Sequence, residues 1–272
     1  MKRDKRMIPK TIHYCWFGGN PLTDDAKKCI SSWKKYFPEY EIKEWNESNF
    51  DVNSCNYVRE AYSAKKWAFV SDYARFWILY KYGGIYFDTD VEVIKSMDDL
   101  IEKGSFMGEE AGAEELPKEL CNPGLGLAAE SGLDLYKEIL EHYQSQHFIN
   151  PDGTNNLHTV VERTTEVLKR HGFKGDGTIE HVDGVDIYPS EYFCPMNYIT
   201  RKMNITCQTR SIHHYSATWQ STLEKIIYKI ELCDKGKKSS EYKLRRLASL
   251  PFRVINKYKK HGMRGIIDTL KR

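Results

Sequence analysis

Asp88 and Asp90 stand two apart at the end of the run Gly83-Gly84-Ile85-Tyr86-Phe87-Asp88-Thr89-Asp90. In an extended chain alternate side chains point the same way, so the two carboxylates are expected to converge with Thr89 on the other face. Paired hard oxygens at a strand end suit Mg²⁺ or Mn²⁺. A cation there would neutralise the phosphates of a nucleotide, and assembling cation, phosphate and reacting carbon is most of what transfer from an activated donor requires. Asp-x-Asp also arises by chance in surface turns, so the reading depends on what surrounds it. Asp72 and Arg75 are three apart and share one face of a predicted helix. Such a carboxylate can accept two hydroxyls while the guanidinium holds a phosphate oxygen and a sugar edge. Spacing alone leaves open an ordinary ion pair contributing a few tenths of a kcal/mol.

These residues need a scaffold. Residues 8–17 read as a buried strand ending in the turn cluster Gly18-Gly19-Asn20-Pro21. Thr23-Asp24-Asp25 offers helix caps, and Ala26, Ile30 and Trp33 fall on one helical face before Phe37-Pro38. Residues 40–45 alternate like a second strand, and 46–56 read as polar loop. Phe69, Tyr73, Phe76, Trp77 and Tyr80 recur at helical spacing, predicting a helix from about Lys66 to Lys81. Gly83-Gly84 stops it, 85–87 is the strand that delivers the acidic pair, and 91–94 continues extended. Residues 102–123 read as loop, with Glu109, Glu110, Glu114 and Glu115 as a solvated charge run. Helices are expected at 133–147 and 159–171, short extended pieces at 187–189 and 192–195, and a further helix from Leu223 to Cys233. Strand, helix, strand, helix, strand in that order argues for an α/β domain.

Composition bounds the class. The 272 residues suffice for one large α/β domain or one domain with an appendage. An apolar content of 40% with 13% aromatics excludes wholesale disorder. Seven cysteines, an odd number without Cys-x-x-Cys, point away from zinc ribbons and thioredoxin-like motifs and towards a reducing compartment. The charged start Met1-Lys2-Arg3-Asp4-Lys5-Arg6 leads to no apolar signal core, and no run approaches the roughly 18 apolar residues of a membrane span. A cytoplasmic location is therefore expected. Charge is uneven: residues 235–272 carry thirteen Lys/Arg against two acids, a balance of +11, while the whole chain carries +3. With Leu244, Leu247, Leu250, Phe252, Val254 and Ile255 interleaved, this tail suits peripheral contact with an anionic membrane at its inner face. A helical extension packed on the domain, or used in oligomerisation, is the other reading. No nucleic-acid-binding motif joins its basic side chains, so no nucleic-acid partner is expected.

Four segments in order resemble glycosyltransferase family 32, the sugar-binding Asp-x-Asp transferases of bacterial capsule and O-antigen assembly and of fungal α-1,6-mannosyl transfer, with the clostridial glucosylating toxins as distant relatives. They are Ile8-Pro9-Lys10-Thr11-Ile12-His13-Tyr14-Cys15-Trp16-Phe17-Gly18; Ser32-Trp33 through Pro38 to Trp45; Ser71-Asp72-Tyr73-Ala74-Arg75 through Asp90; and His213-His214 through Trp219. The resemblance implies a GT-A fold, with a Rossmann-like nucleotide-binding core and mixed sheet over residues 1–234, and a basic, helical extension over 235–272. It further implies a retaining hexosyltransferase, using a UDP- or GDP-sugar donor, a saccharide acceptor and Mn²⁺ or Mg²⁺, in capsular or surface polysaccharide biosynthesis. A lipid-linked acceptor at a membrane face would fit the basic tail. Two alternatives stand beside it: a non-catalytic carbohydrate- or lipid-binding protein that kept the fold, and a protein-modifying transferase.

By the same resemblance, Asp72 and Arg75 are the catalytic, sugar-gripping pair. Trp16 stacks on the base, Asn49 beside Ser48 reaches the ribose, Tyr86 lines the donor pocket, and Thr218 and Trp219 contact the diphosphate. Asp88, Asp90 and His214 hold the metal, with His213 structural. Tyr215 and Thr218 depart from the family's His-His-Trp-x-x-Ser-Trp, keeping an aromatic and a hydroxyl. Asn122-Pro123-Gly124 belongs to the region that approaches the acceptor.

Overall fold

A strand covered on both faces must be apolar in both directions, and the first run of the chain is. In the computed structural model, which describes residues 7–110, 120–197, 201–216, 223, 226 and 247–256, that run forms β1 (Thr11–Cys15), with its last four residues buried. Helix α1 (Asp24–Tyr36) follows, capped by Thr23, whose hydroxyl accepts from the Ala26 N–H at 3.2 Å. Next come β2 (Glu41–Trp45), α2 (Asn56–Ser63), α3 (Trp67–Tyr82), β3 (Gly84–Tyr86), β4 (Val91–Val93), α4 (Asp98–Ile101), β5 (Ser105–Glu110), β6 (Leu120–Cys121) and β7 (Leu127–Ala129). The remaining elements are α5 (Asp134–Gln144), α6 (Val160–Arg170), β8 (Glu180–Val182), β9 (Val185–Tyr188), α7 (Ser190–Phe193) and β10 (Ser211–His213).

The main sheet has the order β2-β1-β3-β7-β5-β9-β8, with β6 paired to β5. Strands β2, β1 and β3 are parallel, β7 runs against both β3 and β5, β5 and β9 are parallel, and β8 is antiparallel to β9. Successive residues feed opposite cores: Tyr86, Met107 and Leu127 join α2, α3, α5 and α6 on one face, while Ile85, Phe106 and Ala128 join α1, α4 and α7 on the other. This is the α/β architecture with a mixed central sheet that the resemblance implied. A second, two-stranded sheet of β4 and β10 stands apart. Helix α1 pins it: the Trp33 indole donates to Val91 O at 2.8 Å, and Ser32 Oγ accepts from Val93 N–H at 2.9 Å.

Two elements depart from expectation, and a third, α2, fills a stretch given no element beforehand. Residues 57–63 belong to α2 because Tyr57, Val58 and Ala61 form one buried stripe. Residues 105–110, expected as loop, form the interior strand β5; its Phe106 and Met107 bury on opposite faces, a pattern with no polar alternation to mark it. Tyr192 and Phe193, expected as extended, close the short helix α7, with Tyr192 N–H bonded to Pro189 O at 3.0 Å. The basic extension falls almost wholly outside the described residues, of which 247–256 are helical.

The link from α3 to β3 decides where chemistry can occur. Gly83 (φ 67°) ends the helix, its N–H returning to Leu79 O at 2.8 Å, and Gly84 (φ 104°) starts the strand at once. A Cβ on Gly84 would meet Thr11 O at 2.6 Å, so the strand can lie against β1 only without a side chain there. The reversal has simple arithmetic. Arg75 lies about 10 Å up the helix at 1.5 Å per residue, and Asp88 lies about 13 Å back along the strand at 3.3 Å. The two therefore finish within about 3 Å of the same level.

His13 locks this corner. The Trp45 indole donates to its Nδ1 at 3.0 Å, and its Nε2 lies 3.0 Å from Gly83 O, which assigns a neutral ring with the proton on Nε2. Burial pushes the His13 pKa down from 6.5 to about 4. The unfolded chain therefore takes up the proton first, and stability is lost as pH falls from about 6.5 towards 4, by at most about 1.4 kcal/mol per pH unit. Urea unfolding at pH 7, 6 and 5 should show this slope. His13→Gln should be flatter over the same window; an equally steep variant would assign the slope elsewhere.

Candidate functional site

Helix α3 is buried on most of its circumference, so its charged residues must find partners inside. Arg75, with a side chain only 4% exposed, supplies them. Its Nη2 lies 2.9 Å from Asp72 Oδ1 and 3.1 Å from Asp88 Oδ1, its Nη1 lies 3.4 Å from Asp88 Oδ2, and its Nε donates to Ser71 O at 3.3 Å. Among the described residues, four of the five guanidinium N–H groups are thus occupied. Tyr86 stands where alternation put it: its hydroxyl donates to Asp88 Oδ1 at 3.0 Å, and the guanidinium lies 5.0 Å from its ring centre. Burial pushes the Asp72 pKa up to about 7 despite Arg75, and raises that of Asp88 as well. Among the described residues, Asp72 Oδ2 makes no hydrogen bond, while Oδ1 is held by Arg75.

Asp88 and Asp90 converge by a different route from the one expected. Val91 N–H bonds to Asp88 O at 3.0 Å, so Asp88 opens a tight turn and Asp90 occupies its third position. The turn carries the chain from the main sheet into β4. On the neighbouring strand β10, His213 pairs in register with Val91, and its Nε2 lies 3.1 Å from Asp90 Oδ1. Burial opposes charge on both partners, yet their attraction prevails. With the Ser216 N–H donating to Asp90 Oδ2 at 2.8 Å, Asp90 is held down to about 2 and His213 is raised. One ligand atom from each of Asp88, Asp90 and His213 lies within 4.8 Å of the others. Two carboxylates and an imidazole are a donor set that Mn²⁺ accepts readily and Mg²⁺ through its oxygens. Nδ1 of His213 is buried without a hydrogen-bond partner among the described residues.

The histidine is a correction. His214, the expected ligand, gives its backbone N–H to Asp90 O at 3.0 Å, while its ring turns to Glu92 at 2.9 Å. Alternation past the strand end sends consecutive side chains opposite ways, and His213 is the one beside the acidic pair. Counting strand register from Val91, rather than spacing from Trp219, would have found it.

A third group borders the pair. Asn122 Oδ1 accepts from the Gly124 N–H at 2.8 Å, and Gly124 O accepts from the Asp88 N–H at 3.3 Å. A Cβ on Gly124 would lie 2.2 Å from Asp88 Oδ2. Asn122 Nδ2 donates to Glu110 Oε2 at 2.7 Å, and the Tyr215 hydroxyl reaches the same oxygen at 3.3 Å. Glu109 is fully buried and burial raises the Glu110 pKa, so these two are no solvated charge run. Glu114 and Glu115 lie outside the described residues.

Of the other expected donor contacts, Trp16 is partly exposed just beyond β1, with its indole N–H bonded to Asn20 O at 2.7 Å, leaving ring surface for stacking. Asn49 is not brought to the cluster by any described contact: its amide accepts from Asn46 N–H at 2.9 Å and donates to Glu44 O at 2.8 Å, closing its own loop. Thr218 and Trp219 lie outside the described residues.

Residues 23–107 match the family described as "Glycosyltransferase sugar-binding region containing DXD motif", a span that includes Asp72, Arg75 and the acidic pair. Among curated proteins, inositol phosphoceramide mannosyltransferase 1 of Schizosaccharomyces pombe is 30% identical over 111 residues, covering 37% of this chain and 33% of that protein. The matched stretch therefore spans only a third of the relative's length. Similar solved structures include the PaToxG glycosyltransferase (TM-score 0.44, 16% identity, 61% of this chain and 71% of that one). Another is a glycosyltransferase involved in glycosylation of the major capsid of PBCV-1 (TM-score 0.43, 15% identity, 76% and 94%). The chain is related to sugar transferases that bear the Asp-x-Asp motif.

Proposed function

We propose that this protein is a metal-dependent, retaining hexosyltransferase that uses a UDP- or GDP-sugar and a saccharide acceptor in surface polysaccharide assembly. The observation that carries the reading is one continuous polar line, Asp72–Arg75–Asp88 on one side and Asp90–His213 on the other, joined by a single turn. Asp88, Asp90 and His213 would hold Mn²⁺ or Mg²⁺, and a bound cation supplies charge neutralisation to the donor diphosphate and the leaving nucleotide. Asp72 offers Oδ2 to a sugar hydroxyl. Arg75 keeps both carboxylates aligned and has one N–H for the donor, so its work is chiefly orientation. Trp16 gives the base a stacking surface. No side chain is assigned as a base; front-face attack, with the acceptor proton passing to the leaving phosphate oxygen, needs none.

The carbohydrate-binding alternative differs in one measurable respect, turnover. With Mn²⁺ and a panel of UDP- and GDP-sugars, the wild type should release nucleotide. Asp90→Asn should lose about a thousandfold in rate, equivalent to several kcal/mol of lost charge stabilisation. Turnover unchanged in that variant, or in excess chelator, would refute the metal role; donor binding without turnover would favour the binding protein. The +11 balance of residues 235–272 supports peripheral attachment to an anionic membrane, where a lipid-linked acceptor would be presented. Among the described residues no helix is long and apolar enough to cross a membrane.

A further inference from the structure

Glu110 ends β5, yet it touches both halves of the cation cluster through other residues. One oxygen, Oε2, takes two bonds. The first comes from Asn122, whose side-chain oxygen in turn fixes the Gly124 N–H, placing the turn whose carbonyl receives the Asp88 N–H. The second comes from the hydroxyl of Tyr215, whose ring packs edge-on against the His213 imidazole with centroids 4.2 Å apart. Tyr215 adopts a left-handed backbone (φ 50°), which a bulky aromatic accepts only when its surroundings compel it. Its hydroxyl also lies 2.9 Å from Cys194 Sγ.

We propose that Glu110 is a positioning residue for the cation site, a clamp that holds the Asp88 turn and the His213 ring in register through Asn122 and Tyr215. The role rests on reading Asp88, Asp90 and His213 as cation ligands, and it adds a residue that itself coordinates nothing. Outer partners of this kind orient ligands without meeting the ion, and removing one typically weakens metal binding by about 10–100-fold.

Calorimetric titration of the full chain with Mn²⁺ alone tests it, with no need for turnover. Glu110→Ala should weaken Mn²⁺ binding by about tenfold or more. Glu110→Gln, which keeps an acceptor oxygen for Asn122 and Tyr215, should stay close to wild type. Tyr215→Phe, which cuts one arm, should weaken binding by itself, and it serves as the test should Glu110→Ala fail to fold. Combined with Glu110→Ala it should add little, because both act through one link. Unchanged affinity in Glu110→Ala or Tyr215→Phe would overturn the clamp. So would a Glu110→Gln loss as large as that of Glu110→Ala, which would assign the effect to charge rather than hydrogen bonding. A wild type that binds no Mn²⁺ would overturn the cation site itself, and the clamp with it.

Discussion

Gly124→Ala should weaken cation binding and cut sugar transfer about a hundredfold while leaving the protein folded. The added Cβ would stand 2.2 Å from Asp88 Oδ2, 3.1 Å from Arg75 Nη1 and 3.1 Å from Asn122 Oδ1. A carboxylate at the end of a free side chain would swing away at little cost. This one is held by two guanidinium contacts and the Tyr86 hydroxyl, so it leaves only by breaking them. Displacement of the order of 1 Å follows, and misplacement on that scale costs about a hundredfold in rate. Gly124 is not among the glycines with positive φ, so its backbone carries no strain of its own and the damage stays local. Circular dichroism should stay near wild type and the thermal midpoint should fall, with Mn²⁺ binding and transfer both strongly weakened. Wild-type Mn²⁺ affinity in this variant would show that Asp88 does not need its present position.

Arg75→Met should cost about 3–5 kcal/mol of stability as well as activity. Removing one member of a buried ionic group leaves the others without counter-charge, and here two carboxylates would remain. Lysine would be a poor substitute, since a point charge cannot bridge Asp72 and Asp88 as the planar fork does. The penalty has a pH signature. Asp72 already sits near 7 in the folded protein against 3.8 ordinarily, so the native state binds the proton more tightly than the unfolded chain. Its contribution is therefore lost as pH rises from about 4 through 7, and regained on acidification. Loss of Arg75 raises the folded value further. Urea unfolding at pH 8 and 6 should show the variant's deficit narrowing at the lower pH. A deficit that is small, or that does not change between the two, would mean that Arg75 does not neutralise this pair.

What could be read from residues alone follows physical lines. Helix α3 was legible because five aromatics repeat at its period, and β1 because its run is apolar throughout. Helix and strand periodicity made it legible that Asp72 and Arg75 share one face and Tyr86 and Asp88 another, whereas their joint role rested on the resemblance. Strand β5 was not, since an interior strand carrying Glu109 and Glu110 looks like an acidic loop until the sheet encloses it. The choice between His213 and His214 needed the β4–β10 pairing, a contact across more than a hundred residues that local pattern does not encode.

The turn at Asp88-Thr89-Asp90 is also a seam. Asp88 follows the last strand of the Rossmann-like half, whereas Asp90 leads into the small sheet that brings His213. An ion gripping all three would act as a further rivet between the two sheets, beside the chain crossing, the packing on α1 and α7 and the Tyr215–Glu110 bond. Occupancy and closure would then be a single equilibrium seen from two directions: whatever pries the small sheet loose must release the ion, and whatever binds the ion must fasten the sheet, by the same free energy.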